Sequence, residues 1–264
     1  MKLAWVTDIH LDFLGESEIA RFCDALTSAG PDGVLVGGDI AQAASFEAAL
    51  HQMEERVGKP IWFVLGNHDF YGATVAAVRQ RAVRLSQEGR IVWLGAVEVV
   101  ELTQHTGLVG HDGWGDARLG DHESSNVILN DFLRIADLVT PDRANLARVL
   151  GRLGAESALH LRRVLPMALE RFAHVVVLTH VPPFRDACWH EGRISSDDYL
   201  PYFACKATGD VLLDQASRHC DRRLTVLCGH THSAGECQPL PNLRVITGAA
   251  EYGRPAVQWP LLDV

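Results

Sequence analysis

Residues 61–69 read IWFVLGNHD, and the five apolar residues Ile61 to Leu65 stop abruptly at an amide, an imidazole and a carboxylate. A short, wholly apolar run of this kind has the form of a strand covered on both faces. A solvated loop would explain the polar residues that follow, but the same event recurs elsewhere. LAWVTDIH (3–10) ends in Asp8 and His10, VLVGGD (34–39) in Asp39, VVVLTH (175–180) in His180, and LTVLCGHTH (224–232) in His230 and His232.

Between the first three runs the pattern turns helical. Ile19, Phe22, Cys23 and Leu26 recur at helical spacing, and residues 45–57 and 73–87 are rich in alanine with mixed charge. The alternation predicts βαβαβα and hence parallel strands. From Ile91 to Gly110 the short runs IVWL, VEVVEL and TGLVG follow without helices, which predicts antiparallel pairing in a second sheet. A long helix is expected from Pro141 to about Phe172, with Thr140 as its N-cap, Pro141 in the first turn, and a kink or split at Pro166. Residues 181–209 show neither period, a helix is expected near 210–219, and the tail from Gly235 holds strand-like pieces between Pro and Gly. The organisation expected is one α/β domain over residues 1–264, with an inserted segment at about 111–172 and a substrate-side loop at about 181–209.

Composition bounds the function. With 47% hydrophobic and 22% charged residues the chain can bury a full core. No apolar run reaches the ~18 residues of a membrane span, and Met1 leads into a strand without a basic, signal-like segment, so a cytoplasmic protein is expected. The six cysteines show neither C-x-x-C nor zinc-finger spacing, which predicts buried, reduced thiols. A net charge of −9 disfavours a broad phosphate-backbone surface and so makes nucleic acid an unfavoured partner.

Ligands of α/β sheets gather at the carboxyl ends of strands. Neighbouring strands lie ~4.8 Å apart, so side chains tens of positions apart can converge there. Four histidines, two aspartates and an asparagine form a mixed nitrogen and oxygen set large enough for two ions, and it suits Mn, Fe or Zn better than Ca or Mg. Glycine before Asn67 and before His230 permits a tight turn at each cluster.

The ordered set D-x-H, G-D, G-N-H-D, H and G-H-x-H resembles the calcineurin-like metallophosphoesterase superfamily over residues 5–232. The resemblance implies an α/β fold of four layers, αββα, in which two stacked mixed sheets are flanked by helices. It implies that Asp8, His10 and His232 hold one metal, that Asn67, His180 and His230 hold the other, and that Asp39 bridges them. His68 would be catalytic rather than a ligand, and Asp69 a turn or N-cap residue. Two ions ~3.5–4 Å apart would polarise phosphoryl oxygens and supply a bridging hydroxide for in-line attack. His68 would protonate the leaving oxygen or stabilise transition-state charge. Phosphoprotein phosphatases of the superfamily carry G-D-x-x-D-R-G and G-N-H-E, whereas this chain has GDIAQAA and GNHD, which weakens a protein-phosphatase reading; charge and length favour a small-molecule phosphodiester or phosphomonoester over a macromolecule. A non-catalytic metal-binding scaffold and a nuclease are the alternatives.

Substrate contacts are sought after strands. Arg185, Arg193 and Lys206 are candidates for holding phosphate, and Trp189, Tyr199 and Tyr202 for stacking on a ring. His111 and Trp114 are candidates for the pocket border, and His111, Asp112, Asp116, Asp121 and His122 for a third metal.

Overall fold

The computed structural model describes residues 1–87 and 89–264. Along the chain the strands are β1 (Lys2–Val6), β2 (Gly33–Val36), β3 (Ile61–Phe63), β4 (Ile91–Trp93), β5 (Val100–Glu101), β6 (Thr106–Gly110), β7 (His174–Leu178), β8 (Trp189–His190), β9 (Arg193–Ile194), β10 (Arg223–Cys228), β11 (Gly235–Leu240), β12 (Leu243–Thr247) and β13 (Gln258–Asp263). The helices are α1 (Glu16–Ser28), α2 (Phe46–Val57), α3 (Val75–Gln87), α4 (Asp131–Arg134), α5 (Arg143–Arg171), α6 (Leu200–Phe203) and α7 (Lys206–Arg218).

The apolar strands are sorted by their two-residue period into three cores. Ala4, Val6, Val34, Val36, Ile61 and Phe63 face the helices α1 to α3, while their neighbours Leu3, Trp5, Leu35 and Trp62 face the other way. In the second sheet Val175, Val177, Leu224 and Val226 pack against α5 and α7, and Val176, Leu178 and Leu227 meet Leu3, Trp5 and Leu35. Two sheets therefore stack face to face with helices outside, and the four-layer architecture follows from strands buried on both faces.

The first sheet has the order β13-β1-β2-β3-β4, parallel except for β13. The second has the order β11-β12-β10-β7-β6-β5, with a parallel centre and antiparallel edges β11 and β5. Parallel centres put β1, β2, β3, β7 and β10 with their carboxyl ends on one side, where all five polar clusters emerge.

Several sequence expectations are corrected. IVWL does not enter the second sheet: β4 pairs in parallel with β3, because α3 supplies the crossover. The antiparallel pair is β5 with β6. The long helix starts at Arg143, not Pro141, and its N-cap is Asp142, whose carboxylate accepts from the Asn145 N–H at 2.8 Å. Pro166 lies inside α5 without splitting it, since Leu161, Val164, Leu165, Ala168 and Leu169 continue one buried stripe past it. Residues 181–209 are not irregular throughout, containing the β8–β9 hairpin, α6 and the first turn of α7. Of the cysteines, all free, Cys220 is exposed and Cys237 half-buried. Among the described residues no helix is long and apolar enough to cross a membrane.

Candidate metal centre

Asp8 and His10 follow β1, Asp39 follows β2, Asn67 and His68 follow β3, His180 follows β7, and His230 and His232 follow β10. The chain turns sharply at each point. Asp8, His10, Asp39, His230 and His232 have φ of 51°, 42°, 51°, 70° and 60°, in the left-handed region. Left-handed backbone costs a non-glycine residue roughly 1–2 kcal/mol and persists where surrounding structure enforces it, often at functional sites. Among the described residues the other non-glycine positions with positive φ are Ala117 and Glu191, so this strain is concentrated at the expected ligands.

The two motif glycines serve close approach. A Cβ on Gly66 would stand 2.1 Å from Asp39 Oδ1, and one on Gly229 2.1 Å from Asp8 Oδ2. Only glycine lets these turns lie against the carboxylates.

One ligand from each of Asp8, His10, Asp39 and His232 converges to within 4.8 Å of the others. His10 Nε2 lies 3.4 Å from His232 Nε2 and 3.7 Å from Asp39 Oδ2, and His232 Nε2 lies 3.3 Å from Asp8 Oδ1. On the other side of Asp39, His180 Nε2 and His230 Nδ1 lie 3.1 and 2.9 Å from Asn67 Oδ1, and His180 Nε2 is 3.5 Å from Asp39 Oδ1.

The hydrogen-bond network fixes which atoms these residues offer. His180 Nδ1 lies 2.9 Å from the Gly37 carbonyl and His230 Nε2 lies 3.2 Å from the Tyr202 carbonyl, so a ring that places its single proton there keeps its other nitrogen as a lone pair. Asn67 Nδ2 donates to Asp131 Oδ1 at 2.9 Å, which leaves Oδ1 toward the rings. Two imidazole lone pairs and an amide oxygen thus face one another as acceptors only. That grouping repels itself in the absence of a cation, and it fits a metal ion.

Charge supports the same reading. Burial pushes the Asp39 carboxyl well above its ordinary value, with the Asp8 and Asp69 carboxylates acting in the same direction. Burial would raise Asp8 too, but the His232 hydrogen bond and the nearby His180 hold it below the usual range. Burial lowers His10 to about 3, His68 to about 4 and His230 to about 3, so these imidazoles are neutral and able to act as ligands or hydrogen-bond donors at pH 7. Buried carboxylates beside neutral imidazoles need cationic compensation.

His68 donates its backbone N–H to Asp39 Oδ1 at 2.8 Å, and its ring stacks on Tyr71 at 4.3 Å and meets His10 edge-on at 4.6 Å. Asp69 is no helix cap. It is fully buried and accepts from the N–H groups of Ile40, Ala41 and Gly66, tying the turn after β2 to the turn after β3.

The seven expected ligand residues and His68 are therefore brought together, and a cleft of about 240 Å³ opens over them. The candidate substrate contacts lie elsewhere. Arg185 pairs with Asp197 at 2.7 Å and Lys206 with Asp210 at 2.7 Å, both beside a different hollow; Arg193 is exposed near Glu191. Trp189 packs against Gly235, and His111 is buried against Ser157 Oγ at 2.8 Å. Trp114 is core, 5.3 Å from Phe70. Of the stacking candidates, Tyr202 is buried, and Tyr199 is exposed with its ring 5.9 Å from that of His190, without lining the cleft.

The third metal group is dispersed among protein partners. Asp112 accepts from Leu65 N, Trp93 Nε1 and Arg79, Asp116 from Ala207 N and Arg118, and Asp121 from Ser124 N, while His122 lies on the Arg143 carbonyl. Sequence reasoning missed Asp131, Tyr71, Phe203, His190 and Tyr252, which line the cleft. Asp131, His190 and Phe203 lie on the short elements α4, β8 and α6, and Tyr71 and Tyr252 in turns, none of which has a periodicity that points to the site.

The sequence profile of calcineurin-like phosphoesterases matches residues 1–234, and the chain belongs to that family. Phosphopantetheinyl hydrolase from Mycobacterium tuberculosis is similar in structure, with a TM-score of 0.68 at 16% identity, covering 98% of this chain and 96% of its own. A dimetal phosphatase from Danio rerio gives 0.58 at 13% identity, covering 94% and 86%. These likenesses are likenesses of fold. No curated protein matches the sequence significantly.

Proposed function

We propose that the chain is a dinuclear-metal phosphoesterase that hydrolyses a small phosphate ester, with Asp8, His10 and His232 holding one ion, Asn67, His180 and His230 the other, and Asp39 shared. The observation that carries the reading is the acceptor-only grouping of His180, His230 and Asn67 on one side of Asp39, beside the converging Asp8, His10 and His232 on the other. The mixed donor set suits Mn, Fe or Zn.

When bound, two such ions would neutralise phosphoryl charge and provide hydroxide at neutral pH. The protein's part is positioning. Asp131 holds the Asn67 amide, the Gly37 and Tyr202 carbonyls hold two rings, and Asp69 holds two turns together. His68 lines the cleft as a neutral imidazole fixed on Tyr71, in place to donate a hydrogen bond to a phosphoryl or leaving oxygen.

The test is nitrophenol release from bis-p-nitrophenyl phosphate by Mn-loaded protein. Asp39→Ala should lose at least one ion per chain and all release, whereas His68→Ala should keep both ions and lose turnover by roughly 10²-fold or more. Full metal content in Asp39→Ala would contradict the bridging role. Two bound ions without turnover of any ester would favour the scaffold alternative, and strongly salt-dependent DNA binding would favour the nuclease. The Mycobacterium tuberculosis neighbour's name adds phosphopantetheinyl compounds to the esters to be assayed.

A further inference from the structure

We infer that Asp112 is a positioning residue for the second half of the metal centre: it locks the turn that carries Asn67, at the end of one sheet, to the turn that carries His180, at the end of the other. This rests on the dinuclear reading above and assigns one of the supports of that site.

The second half needs such a lock because its ligands come from both sheets. Asn67 follows β3 of the first sheet, whereas His180 and His230 follow β7 and β10 of the second. Asp69 fixes the Asn67 turn, but its partners at Ile40, Ala41 and Gly66 all belong to turns of the first sheet. Asp112 lies just beyond β6 of the second sheet and is fully buried. Its backbone carbonyl accepts from the His180 N–H at 2.9 Å and the Val181 N–H at 3.3 Å, continuing the β6 to β7 ladder. Its carboxylate reaches across to the first sheet, where Oδ1 accepts from the Leu65 N–H at 2.9 Å and from Trp93 Nε1 at 2.8 Å. One residue thus holds the ligand His180 directly and the chain leading into the ligand Asn67.

The buried charge is compensated from the helix layers. Asp112 Oδ2 accepts from Arg79 Nε of α3 at 3.1 Å, and Arg79 Nη1 donates to Glu156 Oε2 of α5 at 2.9 Å. The line from Glu156 through Arg79 to Asp112 therefore joins the helices outside the two sheets as well as the turns between them. The first half uses the same device in reverse: Asp8 of the first sheet accepts from the His230 N–H of the second at 3.0 Å. There the clamp is itself an expected ligand. At the second half clamp and ligands are different residues, so the clamp can be altered without removing a metal-binding atom.

The experiment is a calorimetric titration of the full-length chain with Mn, a readout independent of turnover. The wild-type chain should take two ions. Asp112→Ala should weaken one of them by about 10- to 100-fold, the usual effect of removing an outer support, and leave the other nearly unchanged. Carried in His232→Ala, which keeps every ligand of the second half, Asp112→Ala should weaken the remaining ion by the same factor; carried in His180→Ala, it should not. Asp112→Asn can keep its carbonyl oxygen on Leu65 and Trp93 and turn its amide to Arg79, so it should restore the affinity to within about threefold of wild type while its Tm stays lowered. A role in stability alone would lower Tm without singling out one ion. Should the unpaired Arg79 keep Asp112→Ala from folding, Asp112→Leu with Arg79→Met removes both charges together and should show the same selective loss. Equal weakening of both ions, or a folded Ala or Leu variant that binds both at wild-type affinity, would overturn the inference while leaving the metal centre standing. Fewer than two ions in the wild-type chain would remove the dinuclear reading and the inference with it.

Discussion

Asp8, His10 and His232 all stand on left-handed backbone, as does His230 of the other half, whereas Asn67, across Asp39, has an ordinary helical φ of −65° and is aimed by its amide hydrogen bond to Asp131. The second half also takes its ring orientations from remote carbonyls, Gly37 for His180 and Tyr202 for His230. The first half, together with His230, is thus set mainly by the turns that carry it. The second is set by partners from other segments, α6 and the start of α4 among them. Strained turns give one geometry for each ligand, while hydrogen-bonded side chains can be released singly.

The largest break should come at the turn itself. Gly229→Ala would drive a Cβ against Asp8 Oδ2 and Thr7 Oγ1, each 2.1 Å away, beneath the first half. Overpacking of this kind costs roughly 1–3 kcal/mol, and the displaced Asp8 should lose its ion. Because His230 follows Gly229 directly, metal analysis should give fewer than two ions per chain, the ion at Asp8 being weakened most, with a lowered Tm. Two ions at wild-type affinity would show that the backbone is not what fixes this half.

Removing a partner should be milder and confined to the other half. Asp131→Ala frees the Asn67 amide and the Tyr71 hydroxyl, which donates to Asp131 at 2.7 Å. Loss of such outer partners typically lowers metal affinity 10- to 100-fold, so about that change is expected for one ion of the two in a metal titration. Equal weakening of both ions would erase the distinction between the halves.

The same contrast explains what was legible in the sequence. Ligands that ride on strand-end turns were readable, because an apolar run ending in Asp or His and a glycine that admits close approach are local features. Asp131, Tyr252 and Phe203 were not, because their approach is set by how the short helices α4 and α6 and the turn at Tyr252 pack over the sheets. Arg185 and Lys206 had the right charge for phosphate, yet neighbouring carboxylates, Asp197 and Asp210, hold them at another hollow. Capping chemistry misplaced the start of α5 for a related reason: Thr140 and Asp142 are both good N-caps, and the one nearer the packed stripe is used.

A buried imidazole outside both halves sharpens the comparison by isolating what burial alone does. His111 touches Ser157 Oγ at 2.8 Å and is 6% exposed; burial lowers it from 6.5 to about 3, with Arg79 acting in the same direction and Asp112 against it. Above pH 6.5 the ring is neutral whether the chain is folded or unfolded, and it adds no pH dependence. As pH falls toward 3 the unfolded chain binds a proton that the folded chain refuses, so stability is progressively lost. Between pH 7 and pH 5 this amounts to about 2 kcal/mol. His111→Gln, which keeps a polar partner for Ser157, should flatten the fall of the unfolding free energy over that interval by about this amount while leaving metal content unchanged. An unchanged pH slope would mean that His111 is protonated in the folded protein, and that burial without a metal does not suffice to keep an imidazole neutral here.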